Sequence, residues 1–386
     1  MNPLPRFASV DELIDGLDPA GPVYCLYTAR LEADVRAFLD GFPGRVMYAV
    51  KANPDPNVVA RVLDAGVTNV DTASVEEMEL VHALRPGTRC WFMAPVRMRG
   101  AAREAYERFR VRDFVVDHRD ELERVARETG ATDITVFVRM AALNKDATYN
   151  LSEKFGAGHD ETVELLADGA ARGMQPALAC NTGSLLRRPG AFVAALERCE
   201  QVLAASGIEV SLVDVGGGFP SDYPGMKSEP LASFFEAIEQ TRRRLPRLAR
   251  TELIAEPGRA LIANGLSVLT QVLHRKDSKL YLTDGAWGSF IEPVLAKGEL
   301  RYPCRVYRDG EILAGETEHL EVFGPTCDSM DRLPVPLPFP AGLRAGDWIE
   351  FGTMGAYSVS NRTHFNGFFP NTFVEIDGAD SAPPAE

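Results

Sequence analysis

RVMYAVKANPDP, at residues 45–56, is a run of strand-forming residues that ends on a lysine, Lys51, and is then broken by two prolines. An ammonium group at the end of a buried strand loses hydration, which lowers its pKa. That environment suits a lysine that must be neutral and nucleophilic, as in a Schiff base. The alternative is an ordinary lysine whose charged end reaches solvent. The stretch by itself leaves both interpretations open.

Strand and helix patterns alternate along the chain from this stretch onward. Short apolar runs predict strands over 46–51, 68–72, 89–94, 113–117, 134–140, 176–181, 211–215 and 252–256. Amphipathic runs predict helices over 56–65, 75–84, 119–128, 161–172, 189–205 and 231–245. Eight strands, most of them followed by a helix, predict an α/β fold, a (β/α)8 barrel rather than an open doubly wound sheet. Their apolar character is typical of parallel strands buried on both faces.

The sequence changes character after about residue 265. Runs with strand character are separated there by Gly, Pro and Asp turns, at 266–274, 279–283, 304–308, 319–322, 348–351 and 372–376. The run at 22–27 precedes the first helix of the barrel region and is expected to add a strand to the same domain. We therefore predict two domains, a barrel over 27–265 and a mostly β domain formed by 1–26 and 266–386.

The composition of the 386-residue chain is that of an ordinary globular protein, with 45% apolar and 25% charged residues. A net charge of −14 and a pI near 5.0 argue against nucleic acid or an anionic membrane as partners. The first 16 residues lack the apolar core of a signal peptide, and no apolar run is long enough to span a bilayer. Six scattered cysteines predict neither a metal site nor a disulfide framework. We expect a cytoplasmic protein with free thiols.

Two strand ends carry the elements of a phosphate site. The seventh predicted strand runs into Gly216, Gly217 and Gly218, which allow backbone N–H groups to surround a phosphate with no Cβ in the way. The eighth ends in Glu256-Pro257-Gly258-Arg259, which adds a guanidinium at the same corner of a barrel. A glycine triplet alone indicates a turn or bulge more often than a ligand site. The combination predicts a phosphate cradle.

Other charged residues lie at strand positions where a barrel would not hold them without partners. Glu256 is a candidate to pair with a protonated ring nitrogen of a cofactor, or alternatively to form a salt bridge at a strand end. Asp71 ends the second strand and Arg139 lies in the fifth, and an ion pair between barrel strands is an equally good interpretation of these two.

The second domain offers weaker signals. Cys327 lies beside Asp328 in a Gly/Pro loop, but most cytosolic cysteines are inert core residues, so the residues alone favour that interpretation. Tyr357 and Phe365 lie in a turn-rich region and are unspecific by themselves.

Taken in order, a set of segments closely resembles the fold-type III pyridoxal-phosphate decarboxylases, the ornithine and diaminopimelate decarboxylase family with an alanine-racemase-like barrel. The matching segments are YAVKAN at 48–53, DTASVEE at 71–77, LSEKFGA at 151–157, NTGS at 181–184, DVGGGFP at 214–220, AEPGR at 255–259, DGAWGSF at 284–290, FGPTCDSMD at 323–331 and MGAY at 354–357. They span nearly the whole chain and are specific as an ordered set.

The resemblance implies roles for these positions. Lys51 would carry pyridoxal phosphate as a Schiff base, and Glu256 would face the ring nitrogen. The phosphate would be held by residues that share a place at strand ends or loops: Gly216, Gly217, Gly218, Arg259, Ser184 and Tyr357. The remaining cofactor contacts are expected from Asp71, Arg139, Asn181, Pro257 and Gly258.

The resemblance also implies a homodimer with shared active sites. Cys327 and Asp328 would reach the active site of the partner subunit. The cysteine would protonate the carbanion after carbon dioxide leaves, and Asp328, with Phe365, would contact the substrate. An aspartate after the cysteine favours the ornithine and lysine decarboxylase branch, and it suits an amino acid with a distal ammonium group.

Two positions depart from the family pattern. Asn181 stands where the family has a histidine stacked on the cofactor ring, and an amide cannot hold a proton as imidazole does. Ala296, after Leu295, stands where ornithine decarboxylases carry a second acid for the distal amine. The expected reaction is decarboxylation of an ornithine- or lysine-like amino acid, or of a modified biosynthetic intermediate.

Two alternative functions stay open at this point. One is a racemase or other α-carbon enzyme on the same fold, although racemases tend to continue the lysine motif differently from Asn53-Pro54-Asp55-Pro56. The other is a non-catalytic regulator like the antizyme-inhibitor relatives of ornithine decarboxylase, which lose cofactor binding, whereas Lys51, Glu256 and Arg259 are all present here.

Overall fold

The structure, a computed structural model, describes residues 3–142 and 154–378. The first three residues of the LSEKFGA segment lie outside this range. The chain divides into two compact units, which are described separately below. The barrel unit holds Val35–Pro220 and Ser228–Ala260, and the β unit holds Met1–Asp34, Ser221–Lys227 and Leu261–Glu386.

The strands are numbered along the chain. They are β1 (Arg6–Phe7), β2 (Val23–Leu26), β3 (Arg45–Ala49), β4 (Asn69–Thr72), β5 (Arg89–Phe92), β6 (Asp113–Val116), β7 (Thr135–Ala141), β8 (Gln175–Asn181), β9 (Leu212–Asp214), β10 (Glu252–Ala255), β11 (Leu266–Lys276), β12 (Lys279–Leu282), β13 (Cys304–Arg308), β14 (Glu311–Ile312), β15 (Thr317–Phe323), β16 (Leu337–Pro340), β17 (Trp348–Phe351) and β18 (Thr372–Ile376).

The α-helices are numbered in the same way. They are α1 (Val10–Leu17), α2 (Thr28–Gly41), α3 (Pro56–Asp64), α4 (Val75–Leu84), α5 (Ala101–Arg108), α6 (Arg119–Thr129), α7 (His159–Ala171), α8 (Gly190–Ser206), α9 (Leu231–Arg244), α10 (Arg259–Ile262) and α11 (Ile291–Leu295). Single 3₁₀ turns cover Val50–Ala52, Leu248–Arg250, Ala263–Gly265 and Phe365–Gly367.

Strands β3 to β10 form a closed barrel in which neighbours along the chain pair in parallel and β10 closes on β3. The predicted (β/α)8 barrel is therefore confirmed. Its interior is filled by large apolar side chains, including Met47, Trp91 and Phe137, which are buried completely. A barrel of this size has room for a packed core and no pore, so ligands must bind at its ends.

The boundaries differ from the prediction at the lysine. Strand β3 ends at Ala49, and Val50–Ala52 forms a 3₁₀ turn that carries Lys51 beyond the barrel wall. Helix α5 was not predicted, because AAREAYER is rich in charge and has too few large apolar residues to show a helical period.

The β unit contains a ten-stranded sheet with the order β1-β18-β2-β11-β12-β15-β16; β17 also pairs with β11, β13 with β17, and β14 with β13. The mostly β character predicted for this part of the chain is confirmed. The N-terminal strand β2 lies between β18 and β11, in parallel to the first and antiparallel to the second. The core packs Val23, Leu269, Trp348 and Val374 together. Within the described ranges, no helix has the length and apolar character needed to cross a membrane.

Candidate active site

The carboxyl ends of the barrel strands gather the residues that the sequence singled out in this unit. Lys51 follows β3, Asp71 lies at the end of β4, Asp214 ends β9 and Glu256 follows β10. Parallel strands place these ends at one rim of the barrel. Asp71, Asp214 and Glu256 are buried, at 1%, 1% and 8% exposure.

Lys51 forms an ion pair with Asp71. The side chain of Lys51 is 45% exposed, whereas that of Asp71 is 1% exposed. Of the two interpretations that the sequence left open, this exposure favours an amine that reaches solvent, because the 3₁₀ turn carries Lys51 beyond the barrel wall. Lys51 differs from an ordinary surface lysine in its position and its partner, because the carboxylate of Asp71 holds its amine at the rim. Atom Oδ1 of Asp71 is buried and accepts no hydrogen bond from the described residues.

The lysine turn is fixed by side chains on both sides. The hydroxyl of Tyr48 donates to the carbonyl of Asn53 at 2.9 Å, and Oδ1 of Asn53 accepts from the backbone N–H of Asp55 at 3.0 Å. Asp55 in turn caps α3 by accepting from the N–H of Asn57 at 2.9 Å. These contacts explain why a tyrosine and an asparagine flank the lysine, a role that sequence reasoning missed.

The glycine loop after β9 leaves no space for side chains. Gly216 and Gly218 have φ angles of +75° and +97°. A Cβ atom at Gly216 would lie 2.5 Å from the carbonyl oxygen of Cys180, and one at Gly218 would lie 2.5 Å from that of Gly183. No described residue accepts a hydrogen bond from the backbone N–H of Gly217 or Gly218. Two such donors in a loop suit an anion such as phosphate.

The Glu256–Arg259 segment lies against the lysine turn. The N–H of Ala49 donates to the carbonyl of Pro257 at 3.1 Å. A Cβ at Gly258 would come within 2.6 Å of the Cβ of Ala52, so glycine is required there by the close approach of the two segments. Arg259 begins α10 and is 4% exposed. The structure thus brings this segment to the lysine.

Three further predicted residues lie on β7 and β8 and in the loop that follows. Oδ1 of Asn181 accepts from the N–H of Gly183 at 3.1 Å, so this amide oxygen shapes its own loop. Ser184 is half-buried in that loop. The guanidinium of Arg139 lies over the ring of Phe155, at 5.3 Å from its centre. Their roles toward a cofactor stay predictions.

Buried carboxyl groups at this rim bind protons unusually tightly. Burial raises the pKa of Glu256 well above its ordinary value, and the charges of Asp214 and Asp71 raise it further, while Lys51 opposes them. Burial also raises the pKa of Asp214 to about 7. On helix α4, burial raises the pKa of Glu77 to about 7. Acids with raised pKa values at a rim rich in polar groups are typical of functional sites.

Asp214 and Glu77 were not predicted as site residues. Asp214 carried a signal, since it stands directly before the glycine triplet at the end of a predicted strand. Glu77 carried none, because it lies in a helical pattern and accepts from the N–H of Ala73 at 2.7 Å, as a capping residue does.

These observations fit pyridoxal phosphate. The open N–H groups of the glycine loop suit its phosphate, and the buried acid Glu256 suits its ring nitrogen. Lys51, held by Asp71 at the same rim, suits its aldehyde. The glycines are required because a Cβ at Gly216, Gly217 or Gly218 would clash with a backbone carbonyl of a neighbouring segment.

The other predicted residues lie in the β unit. Cys327 is exposed, and its backbone N–H donates to Oδ1 of Asn366 at 3.1 Å, which brings the cysteine loop next to Phe365. Oδ1 of Asp328 accepts from the N–H of Met330 at 2.9 Å. Tyr357 is half-buried and has a φ angle of +64°.

The cysteine loop is held in shape by Asp331, which sequence reasoning missed. Its Oδ2 accepts from the backbone N–H and the hydroxyl of Thr326, at 3.0 and 2.6 Å, and its Oδ1 accepts from the N–H of Ala286 at 2.7 Å. Leu295, at the end of α11, is 58% exposed, and Ala296 is buried. The position of the second acid is thus apolar in the fold as well as in the sequence.

Comparisons with known proteins cover both units. Residues 28–263 match the family model described as pyridoxal-dependent decarboxylase, pyridoxal binding domain. Decarboxylase flvG of Aspergillus flavus is 30% identical over 342 residues, which cover 83% of this chain and 77% of that protein. The lysine/ornithine decarboxylase of Selenomonas ruminantium is 30% identical over 334 residues, which cover 84% of this chain and 81% of the relative.

A solved structure gives the same answer for the fold. The lysine/ornithine decarboxylase of Vibrio vulnificus, complexed with putrescine, matches with a TM-score of 0.82 at 26% identity, over 95% of this chain and 98% of that chain. The family model covers the barrel strands, and with them Lys51, the glycine loop and Glu256–Arg259.

Proposed function

Because this chain belongs to the pyridoxal-dependent decarboxylases, we propose that it removes the α-carboxylate, as carbon dioxide, from an amino acid that carries a distal basic group. Decarboxylation and the pyridoxal cofactor follow from membership of the family. The distal basic group is supported by the acidic Asp328 and by relatives named as lysine/ornithine decarboxylases.

The barrel rim supplies the cofactor site. When bound, pyridoxal phosphate acts as an electron sink for the bond between Cα and the carboxylate. Lys51 would hold its aldehyde carbon, and the glycine loop with Arg259 and Ser184 would hold its phosphate. Glu256 would face the ring nitrogen. Because burial raises the pKa of this carboxyl group, a proton would be held between it and the nitrogen.

The β unit would complete the site of a second copy of the chain. Cys327 is exposed on a loop that Asp331 holds rigid, and large apolar side chains of the same unit are exposed: Leu295, Met330, Phe365 and Phe368. We infer that these side chains contribute to an interface. We propose a homodimer in which Cys327 delivers a proton to the substrate carbon in the partner's site, with 27–265 as the cofactor domain and the remainder as the contributing domain.

Substrate selection would depend on Asp328. One carboxylate oxygen is used within the loop, because Oδ1 accepts from Met330, and the other is available for an ammonium or guanidinium group. Leu295 exposes an apolar side chain next to Ala296, which is buried at the position of the expected second acid. This arrangement favours an amino acid whose distal amine contacts one acid and whose alkyl chain contacts an apolar side chain.

The proposal rests on one observation: Asp71 holds Lys51 at the rim of the barrel on which the glycine loop also lies. The test is a carbon dioxide release screen over lysine, ornithine, arginine, diaminopimelate and short diamino acids, with the amine products identified by mass spectrometry. We expect carbon dioxide release from basic amino acids and none from leucine, which serves as the control without a distal basic group. Racemisation without carbon dioxide would contradict the proposal.

We also propose a cytoplasmic location. All six cysteines are free, and five of them are buried or half-buried. Unpaired thiols are typical of a reducing compartment. Activity found in the cytosolic fraction after cell fractionation would support the assignment, and activity released from the periplasm or medium would contradict it.

A further inference from the structure

We propose that Asp214 is a positioning residue for the cofactor, whose carboxyl group fixes the glycine loop and shares a proton with Glu256. The inference rests on the proposed cofactor site. It assigns to one buried side chain the link between the phosphate end and the ring-nitrogen end of that site.

The contacts of Gly216 provide the link. Oδ1 of Asp214 accepts from the backbone N–H of Gly216 at 2.8 Å, and the carbonyl of Gly216 accepts from the backbone N–H of Glu256 at 2.9 Å. One residue, Gly216, is therefore held through its N–H by the aspartate and through its carbonyl by Glu256, the residue proposed to face the ring nitrogen. A change at Asp214 is transmitted to both ends of the cofactor site.

An aspartate is well suited to this position. Its short side chain bonds to the backbone two residues further on, a local turn that longer acids do not form as readily. The loop has no side chain of its own with which to be held, since a Cβ at Gly216 would lie 2.5 Å from the carbonyl of Cys180. The strand end is the place from which the glycine loop can be anchored.

The surroundings of Asp214 favour a shared proton. Glu256 faces it from the end of β10, Cys180 from β8 and Asp71 from β4, and Lys51 acts on Glu256. The thiol of Cys180 donates to the backbone carbonyl of Asp214 at 3.5 Å. Two hydrogen-bonded carboxyl groups that are both removed from water retain one proton between them at neutral pH.

This pair makes cofactor affinity depend on pH. Burial raises the pKa of Asp214 to about 7, so the pair carries one negative charge above this pH and none below it. A protonated ring nitrogen is favoured by the charged form of the pair. The affinity for pyridoxal phosphate should therefore rise as the pH increases through 7.

The experiment measures binding of pyridoxal phosphate and of pyridoxal, which lacks the phosphate, to the cofactor-free protein by calorimetry between pH 5.5 and 8.5. The rise in affinity for pyridoxal phosphate through pH 7 is called the pH step. Asp214→Asn keeps an acceptor for Gly216 but has no proton to share. It should abolish the pH step, while the preference for the phosphorylated ligand changes by less than about threefold. Asp214→Ala should abolish the step and reduce that preference on the order of tenfold.

Glu252→Gln is the matched control, because Glu252 lies at the opposite end of the strand that leads to Glu256 and pairs with Arg45, away from the glycine loop. It should keep both the step and the preference. A step that persists at the same midpoint in Asp214→Asn, or that disappears in Glu252→Gln as well, overturns the inference, and so does an unchanged preference in Asp214→Ala.

A second variant covers the case in which the Asp214 variants do not fold. Glu256→Gln removes the other half of the pair and should abolish the same step; a retained step contradicts the shared proton. These measurements need no substrate. A wild-type protein that binds no pyridoxal phosphate would contradict the proposed function, whereas one that binds it and releases carbon dioxide, with the step unaffected by Asp214, would contradict this inference alone.

Discussion

The two ends of the barrel arrange their charges differently. At the amino end, each acid faces an arginine: Arg89 contacts Asp113 at 2.6 Å, and Arg45 contacts Glu252 at 2.9 Å. Both guanidinium groups also lie over the ring of Trp91. Each of these acids has an arginine partner, although burial raises the pKa of Asp113 and Arg89 opposes the rise. We interpret this end as structural.

At the carboxyl end Asp71 pairs with Lys51, but two other buried acids lie beside each other. Asp214 and Glu256 face each other, and burial raises the pKa of both. Placing two like-charged groups together out of water costs folding free energy. The cost is tolerated where a ligand supplies the missing positive charge, so the difference between the ends locates the chemistry.

The largest effect is expected from Lys51→Ala. Removing the amine should abolish the visible absorbance of the lysine-bound cofactor and lower carbon dioxide release by about 10⁴-fold or more, on the scale of losing a reacting group. Lys279→Ala, at an exposed lysine of the β unit, is the control and should leave both unchanged. An absorbance band that survives in the Lys51 variant would show that another residue holds the cofactor.

Strand β10 offers a direct comparison of its two ends. Glu256→Gln should reduce turnover on the order of 10²- to 10³-fold, because a preorganised electrostatic partner of the reacting group is removed. Glu252→Gln, at the amino end of the same strand, loses an exposed pair with Arg45 and should keep turnover within about twofold. Equal losses in the two variants would break the distinction between the ends.

Asp113→Ala tests whether the amino end of the barrel contributes to stability and not to turnover. Its partner Arg89 is half exposed and can be hydrated, so the loss should be about 2–3 kcal/mol of unfolding free energy, below the range for a pair buried on both sides. Turnover of the folded protein should be unchanged. Urea unfolding gives the free energy, and a loss of turnover without a loss of stability would mean that the amino end takes part in the chemistry.

The smallest effect concerns pH. Folding raises the pKa of Glu77 from 4.5 to about 7, so its protonated form stabilises the fold below about pH 4.5, and this contribution is lost as the pH rises through 7. The cofactor-free protein should therefore be less stable at pH 8 than at pH 5. Glu77→Gln should reduce this difference by about 1–2 kcal/mol, measured by urea unfolding at the two pH values. An unaltered pH dependence would show that Glu77 is not a buried acid in solution.

The barrel was predictable because its strands are apolar on both faces and recur between amphipathic helices. The missed elements have specific causes. Strand β16 (Leu337–Pro340) lies in a proline-rich run, and prolines conceal a strand pattern. Lys51 left its predicted strand because a 3₁₀ turn is not encoded by apolar periodicity.

The site could be predicted in part. Lys51, Glu256 and the glycines carry chemistry that is visible in their residue types and in their position at strand ends. The contact of Asp214 with the glycine loop and with Glu256 could not be predicted, because it depends on the pairing of β9 with β10, in which Asp214 lies opposite Ile254. Cys327 needed the resemblance, since nothing in its own loop distinguishes it from an inert thiol.

The seam between β10 and β3 has a consequence for biosynthesis. The lysine turn is packed against Pro257 and Gly258, so the segment made first on the ribosome acquires its final neighbours when the last barrel strand has emerged. A nascent chain that stops short of this strand has the reactive amine but no enclosed place for an aldehyde. The two segments that form the proposed cofactor site therefore meet in the step that closes the barrel.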